Sequence, residues 1–191
     1  MSRSRLLGLF AALSMLAAAC GEPAGPVEIP RQELPVDLAR TPEPEPSGAA
    51  RPVTLFFARD GRLFPVTRPV RGEGQELLAG ALIELLVGPN AEERSHGIVS
   101  FVPPDSQLLE SEVLDQVASV DLSQEFQKPA RPEQVLLSVA QIVWTAVALP
   151  GVTAVRFAVD GVPVEVPVDG GRIVSRPVTS VDYASVAAPS S

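Results

Sequence analysis

Asp121 and Ser123 are the side chains whose types and spacing come closest to an acid-base site in this sequence. They stand two residues apart in Val120-Asp121-Leu122-Ser123. General-base catalysis needs a titrating partner within hydrogen-bond reach, and the neighbouring sequence offers none. We therefore interpret both side chains as hydrogen-bond partners for backbone groups where a strand leaves its sheet, and Phe126 as a core residue.

His96 is the single histidine, and it follows a short acidic stretch. A metal site needs more ligands than one imidazole and two loop carboxylates, and no G-x-S-x-G turn supports a serine nucleophile. Glu110, Glu112 and Asp115 lack the calcium-loop spacing D-x-D-x-D-G, so we interpret them as a solvated strand face. The sequence predicts no cofactor, no metal and no enzymatic activity.

A short apolar leader precedes the single cysteine, Cys20. Arg3 and Arg5 supply a positive start, and residues 6–19 form an apolar run of 14 residues interrupted by one serine. As a helix this run spans about 21 Å, less than a hydrocarbon core of about 30 Å. A signal peptide over residues 1–19 therefore explains the run better than a permanent transmembrane helix.

The residues around Cys20 predict its lipidation. The sequence Leu16-Ala17-Ala18-Ala19-Cys20-Gly21 resembles a bacterial lipobox, although Ala17 stands where a large aliphatic residue is usual. In a lipobox the cysteine is S-diacylated, and two acyl chains suffice for stable anchoring. We expect a chain held by the lipid on Cys20 to the extracytoplasmic side of the cell membrane. The alternative is an ordinary secretory leader with Cys20 as an accidental thiol.

Composition separates a tether from a domain and limits the partners. Residues 21–50 hold seven of the 20 prolines and no aromatic residue, so we expect residues 20–50 to be a disordered spacer with a reach of up to about 90 Å. The formal net charge of -8 disfavours nucleic acid and anionic lipid headgroups, which are bound largely through lysine and arginine.

Hydrophobic periodicity and turn residues predict the elements of the remaining chain. Asp-Gly turns join two hairpins, Gly88-Pro89 ends the first helix, and prolines at 65, 69, 163 and 167 mark edge strands. We expect strands over residues 53–57, 63–70, 108–114, 117–122, 155–159 and 162–168, helices over 76–87 and from Pro132 through 147, a loop over 90–97, and a tail over 173–183 before residues 184–191 fray.

This order predicts an α+β fold, with a mixed or antiparallel sheet and two helices packed on one face. On the second helix we expect Trp144 to pack in the core with its indole N–H on a carbonyl group. The alternative is that Trp144 anchors an interface.

Several short motifs, in their order and spacing, carry a resemblance to a known family. They are Leu85-Leu86-Val87-Gly88-Pro89, residues 97–104, Val120-Asp121-Leu122-Ser123 followed by Phe126, Gln141-Ile142-Val143-Trp144-Thr145, and residues 155–161 with Asp160-Gly161. Residues 53–167 thereby resemble the GerMN domain of sporulation and spore germination lipoproteins. The resemblance implies a βαββαβ core similar to ring-building motifs of secretion systems, an extracytoplasmic location, and no known enzymatic activity.

The resemblance also implies which residues shape the fold and what the domain does. The family-motif residues with a structural role are Gly88, Pro89, Asp121, Ser123, Phe126, Asp160 and Gly161. We expect a domain over residues 51–171, a C-terminal extension over 172–191, and a module that binds an envelope protein or itself. The alternative is a lipoprotein that binds a small ligand or a cell-wall glycan, for which an aromatic-lined cleft is needed.

Overall fold

The structure, a computed structural model, describes residues 48–129, 131 and 134–188. The predictions for the leader, Cys20, the tether up to residue 47 and Pro132 lie outside the described residues. No helix within the described ranges is both long enough and apolar enough to cross a membrane.

The described chain begins with an antiparallel hairpin, as its sequence predicts. Strands β1 (Arg51–Arg59) and β2 (Arg62–Val70) pair without a register shift from Arg51 opposite Val70 to Arg59 opposite Arg62. Asp60 and Gly61 connect them with φ values of 53° and 73°. Two successive positive φ values define the turn type whose twist matches paired strands, and Asp-Gly favours it.

Helix α1 (Gly74–Val87) follows and buries five side chains, which are Leu77, Leu78, Ala81, Leu82 and Leu85. It ends at Gly88, whose φ of 86° and ψ of -177° lie in a region that is open almost only to glycine. The prediction of a loop over residues 90–97 is wrong, because a short helix α2 (Ala91–Ser95) forms there. The Asn90 side chain accepts from the Glu93 N–H, and the Glu93 carboxylate accepts from the Asn90 N–H, so the two stabilise this helix start.

A four-stranded mixed sheet forms the centre of the fold, which confirms the predicted α+β class. Its order is β3 (Leu108–Leu114), β4 (Val117–Leu122), β5 (Ala154–Val159) and β6 (Val162–Pro163). Strands β4 and β5 are parallel, and helix α3 (Val135–Val147) connects them. The side chains of Val120 and Phe157 are buried on the face that α1 and α3 cover, whereas Ser119 and Arg156 are exposed on the other. We call this second face the open face.

The last strands correct the prediction of one continuous strand over residues 162–168. The segment divides into β6, which pairs with β5, and β7 (Val166–Val168), which pairs with β8 (Arg172–Val174). The backbone N–H of Val164 still donates to the Phe157 carbonyl at 3.1 Å, but beyond it the chain leaves β5 and residues 166–168 pair with β8 instead. The chain then packs back on the core, where Val178 and Val155 exchange two backbone hydrogen bonds of 2.8 Å.

Two buried polar side chains of α3 hold separate segments against the helix. The Thr145 hydroxyl accepts from the backbone N–H of Phe56 in β1 at 3.0 Å, and Gln141 Oε1 accepts from the backbone N–H of Phe101 at 2.7 Å. Both side chains are 0% exposed. Because a buried N–H without an acceptor is costly, these bonds fix the position of β1 and of the loop before β3.

Trp144, next to Thr145, is half-buried and packs at a tilt against Phe56, with 5.3 Å between the ring centroids. The prediction that its indole N–H reaches a carbonyl group is wrong. The Nε1 atom is buried and has no hydrogen-bond partner among the described residues. The ring therefore fills space between α3 and β1 without fixing a polar contact.

The Thr145 contact gives a first prediction. We expect Thr145→Val to lower the free energy of unfolding by about 1–3 kcal/mol, because valine keeps the shape but leaves the Phe56 N–H buried without its acceptor. Urea unfolding followed by fluorescence of Trp144, the single tryptophan, measures this loss. Thr67→Val, on the exposed side of β2, is the matched control and should leave the midpoint within error. An equal effect of the two substitutions would contradict the assigned role.

The C-terminal segment is held by an ion pair next to a buried tyrosine. The two terminal guanidinium nitrogens of Arg176 donate to the Asp182 carboxylate, at 3.0 and 2.6 Å, and the backbone N–H of Thr179 donates to it at 2.8 Å. The hydrogen bonds from Arg176 lower the pKa of Asp182 to about 2, although burial opposes the change. The adjoining Tyr183 is 0% exposed, and burial raises its pKa far above the ordinary value.

A second prediction follows from the lowered pKa of Asp182. Its ordinary value is 3.8, so the charged carboxylate stabilises the fold above about pH 4, and this contribution disappears as the pH falls through about 2. We expect Asp182→Asn to cost about 1–2 kcal/mol at pH 7, less than the full shift implies because Arg176 is half-exposed. The difference from the native chain should shrink towards pH 2.

Near-ultraviolet circular dichroism of Tyr183, the single tyrosine, reports this local effect during urea unfolding. Glu165→Gln, at an exposed position, removes one carboxylate elsewhere and should not reproduce it. If Asp182→Asn and the native chain differ equally at pH 7 and pH 2, the carboxylate charge is not the source of the stabilisation.

Candidate functional site

Asp121 lies at the end of β4 and connects two strands of the central sheet. Both of its carboxylate oxygens accept from the backbone N–H of Gly161, at 3.1 and 2.9 Å. The backbone N–H of Asp160 donates to the carbonyl of Leu122 at 3.0 Å. The Asp160-Gly161 turn is thereby bound to the end of the neighbouring strand, and both oxygens of Asp121 are committed to the backbone.

Ser123 and Phe126 extend this corner towards the core. The Ser123 hydroxyl accepts from the Gln107 N–H at 3.0 Å, and the Ser123 N–H donates to the Gln107 carbonyl at 2.9 Å. The following 3₁₀ turn, Gln124–Gln127, places Phe126 on Phe157, with ring planes 3° apart. The structure thus brings Asp121, Ser123, Phe126 and the Asp160-Gly161 turn to one end of the sheet, where their side chains and backbone hold the chain in place.

Gly88 belongs to a separate cluster around Arg68 of β2, and the carbonyl of the following Pro89 accepts from Arg94. Arg68 forms ion pairs of 2.6 Å with Glu93 and 3.1 Å with Glu84, and it donates to the Gly88 carbonyl at 3.2 Å. The unusual conformation of Gly88 brings α1, α2 and β2 into contact with one guanidinium group. No sequence pattern identifies this cluster, because its members come from three separate elements.

The charges of the Arg68 cluster support one another. Burial acts to raise the pKa of Glu93, but the hydrogen bonds from Arg68 and from the Asn90 N–H outweigh it and lower the pKa. Burial likewise acts to lower the pKa of Arg68, and the bonds to Glu93 and Glu84 reverse this. Both groups therefore remain charged, and the Glu93 carboxylate is not free for chemistry.

His96 is exposed at the end of α2, where its backbone N–H donates to the carbonyls of Glu92 and Glu93. The side chain of Glu93 is already bound to Arg68 and Asn90. Across the ranges that the structure describes, no group of three or more histidine, cysteine, aspartate or glutamate side chains could hold a metal ion.

The open face brings together carboxylates that the sequence does not connect. Glu110 is the register partner of Asp121 across β3 and β4, and Glu112 is the partner of Ser119, which in turn stands beside Arg156. A shallow groove of about 230 Å³ runs among these side chains. Three carboxylates and one guanidinium line it, so the groove is negatively charged.

Among the residues that the structure describes, β3 pairs only with β4, so one edge of the central sheet is unpaired. Beside this edge lies a second groove, of about 530 Å³, between β3 and the outer side of α1. Ile83 of α1 and Leu109 of β3 line this groove, and each is 50% exposed. The edge strand thus has an acidic groove on one face and, on the other, a mixed groove in which Ile83, Leu108 and Leu109 lie beside Glu76 and Glu110.

The aromatic rings on the described surface of the hairpin do not form an open platform on which a sugar ring could stack. Phe56 packs on Trp144, and the guanidinium group of Arg59 covers the ring of Phe64 at 3.7 Å. A glycan-binding cleft would need aromatic faces open to a sugar ring, and the faces of these rings are in contact with protein groups.

Comparisons with known proteins agree on the domain type. The first GerMN domain of the sporulation protein GerM from Bacillus subtilis superposes with a TM-score of 0.54 at 21% identity, covering 68% of this chain and 97% of that domain. The structure of the tandem GerMN domains of GerM gives a TM-score of 0.51 at 21% identity, covering 69% of this chain and 47% of that one. At this identity the likeness is evidence of the fold alone. No curated protein matches the sequence.

The family model named Germane, and described by sporulation and spore germination, matches residues 54–165. The matched range runs from β1 to the segment between β6 and β7, and it contains all seven family-motif residues as well as the Arg68 cluster. With more than half of its length matched, the chain belongs to the Germane family.

Proposed function

We propose that this protein is a lipoprotein anchored through Cys20 to the extracytoplasmic side of the cell membrane, and that its Germane domain is a non-enzymatic protein-interaction module of the envelope. One observation carries the proposal. Asp121 and Ser123, the side chains that come closest to an acid-base site, are engaged in holding the fold, whereas an edge strand and an open sheet face of the described residues are left for contact.

The leader and the lipobox-like sequence before Cys20 support the location. The family is described by sporulation and spore germination, and GerM is a sporulation protein, so the cell envelope is the expected setting. The proline-rich tether supports it further, because a reach of up to about 90 Å would let the domain meet partners well away from the bilayer.

The charge of the chain supports a protein partner over other envelope components. A formal net charge of -8 opposes adsorption to anionic headgroups and to polyanionic polymers. Protein surfaces that carry lysine and arginine are attracted by the same charge. Self-association and binding to a different envelope protein are both compatible with this role.

The third prediction tests the anchor. We expect Cys20→Ala to abolish incorporation of labelled palmitate and to move the protein from the membrane fraction to the soluble fraction of spheroplasts, because the thiol is the acyl acceptor. Ser47→Ala in the tether is the matched control and should leave both readouts unchanged. Membrane association that persists in Cys20→Ala without the label would contradict anchoring through Cys20.

The native chain and Cys20→Ala also test the interaction role, by crosslinking in cells, affinity purification and mass spectrometry. A defined protein partner or a crosslinked oligomer recovered with the native chain and lost with Cys20→Ala would support an anchored interaction module. If neither chain yields one, the module is contradicted, and binding of glycan fragments to the full chain becomes the measurement that decides for the alternative.

A further inference from the structure

We infer, on the basis of the proposed function, that the free edge of β3 accepts an extended segment of a partner protein, in which basic side chains alternate with apolar ones. The added strand would continue the central sheet beyond β3. Its basic side chains would meet Glu110 and Glu112 on the open face, and its apolar side chains would enter the groove between β3 and α1.

The strand edges of the described residues differ in a way that singles out β3. Pro65 and Pro69 lie in β2, Pro163 lies in β6, and Pro167 lies in β7, so each of these strands lacks donors for a new neighbour. Strand β8 has three residues. The second edge of β1 is engaged by Val99 and by the Thr145 side chain. Strand β3 has seven residues and no proline.

Backbone groups along an unpaired edge form a template for another strand, and proteins usually protect such edges. Here the described part of the chain provides no covering segment for β3. The groove between β3 and α1 adds side-chain contacts to this row of backbone groups. Its apolar part, around Ile83 and Leu109, offers a place to bury alternate side chains of the added strand, and Glu76 and Glu110 lie at its side. Every second side chain of an added strand points to the same face of the sheet, so one set of side chains can reach this groove.

The carboxylates near the β3 edge indicate which kind of segment can pair with it. Glu110 and Glu112 are exposed on β3, and Asp121 lies across from Glu110. Opposite charges on neighbouring strands stabilise pairing, whereas like charges directly opposite each other destabilise it. A segment with lysine or arginine at every second position therefore fits this edge, and an acidic segment does not.

The same glutamates argue against a second copy as the occupant. Antiparallel pairing of β3 with itself, centred on Ser111, sets Glu110 opposite Glu112 of the other copy, and this happens twice in the pair. Parallel pairing in register brings identical glutamates together. Either arrangement places like charges on adjacent strands without a compensating cation from β3 itself.

The fourth prediction tests the occupant with two synthetic probes. Both are capped heptapeptides bearing a neutral dye, one alternating lysine with valine and one alternating glutamate with valine. We expect the full chain in nonionic detergent to bind the lysine peptide about tenfold more tightly, since the two cross-strand ion pairs with Glu110 and Glu112 contribute up to about 1 kcal/mol each. Fluorescence anisotropy titrations at low salt measure the two dissociation constants.

Charge reversal at the edge provides the matched variants. Glu110→Lys combined with Glu112→Lys should invert the preference between the peptides. Glu92→Lys combined with Glu165→Lys makes the same change in net charge at exposed positions outside β3 and should leave the preference intact. Equal loss of preference in both double variants would assign binding to overall charge and overturn the inference. Unchanged Trp144 fluorescence checks that each variant is folded.

Strand addition also requires backbone hydrogen bonds from the peptide. N-methylation of alternate residues along one peptide edge should abolish binding to the native chain, and N-methylation along the opposite edge should not. A photoreactive residue replacing Leu109 should crosslink to the lysine peptide, and one replacing the exposed Ile173 should not. Crosslinking at position 173 instead, binding that ignores N-methylation, or no binding at millimolar peptide overturns strand addition at β3.

The two photoreactive positions also separate this inference from the proposed function. If the photoreactive residue at position 109 crosslinks one molecule to another molecule of the same protein in the absence of peptide, a second copy occupies the β3 edge. The inference of a basic partner segment is then overturned. If, in cells, position 173 captures a defined envelope protein and position 109 captures none, the interaction module stands and the β3 inference fails. Capture of none at either position, together with a negative crosslinking result for the native chain, contradicts both.

Discussion

The constraint on which the rest of the structure depends is that α3 is buried on nearly every side while it carries polar side chains. Buried polar atoms are costly unless they find partners within the protein, and on α3 the indole N–H of Trp144 is left without one among the described residues. Gln141 and Thr145 find partners by accepting from backbone N–H groups of the loop before β3 and of β1. The hairpin, which is a separate sheet, is thereby joined to the helix that crosses over the central sheet.

The position of α3 between two parallel strands also explains why the two faces of the central sheet differ. Helix α3 connects the parallel strands β4 and β5, so it has to cover one face of the sheet, and α1 covers the β3 side of the same face. The opposite face receives no helix from the described chain. It carries short and charged side chains together with Leu114, which is 66% exposed, and the Asp121 carboxylate holds the Gly161 turn. An open face and a free edge are thus consequences of the topology, which leaves them available for contact.

The sequence predicted elements where local signals act alone. Strands β3 and β4 were predicted with their observed bounds, and Asp60-Gly61 marked the first hairpin, because alternation and turn residues are local properties. Helix α2 was missed although Asn90 and Glu93 have the spacing of a capping pair, since a five-residue helix has too short a pattern to detect. The division of 162–168 depended on which partner each half would find.

The candidate site was less predictable, for a physical reason. Arg68 gathers Glu84, Glu93 and the Gly88 carbonyl from three elements, and Glu110 meets Asp121 through strand register. Both arrangements depend on the tertiary fold and leave no periodic trace in the sequence. Gln141 and Thr145 show the same limit, because their polar types indicate exposure while the structure buries them completely. Only the contacts that they make explain why they are tolerated there.

An anchored chain makes the glutamates of β3 more significant than they would be in dilute solution. A lipid on Cys20 would confine many copies to one surface. Confinement raises the effective concentration at which the β3 edge of one copy meets the β3 edge of another. A proline in β3 would prevent self-pairing but would also remove donors that a partner strand needs. Glu110 and Glu112 keep all backbone donors and acceptors while they oppose pairing between copies. Side-chain charge, unlike proline, can therefore protect an edge and leave it open to one class of partner.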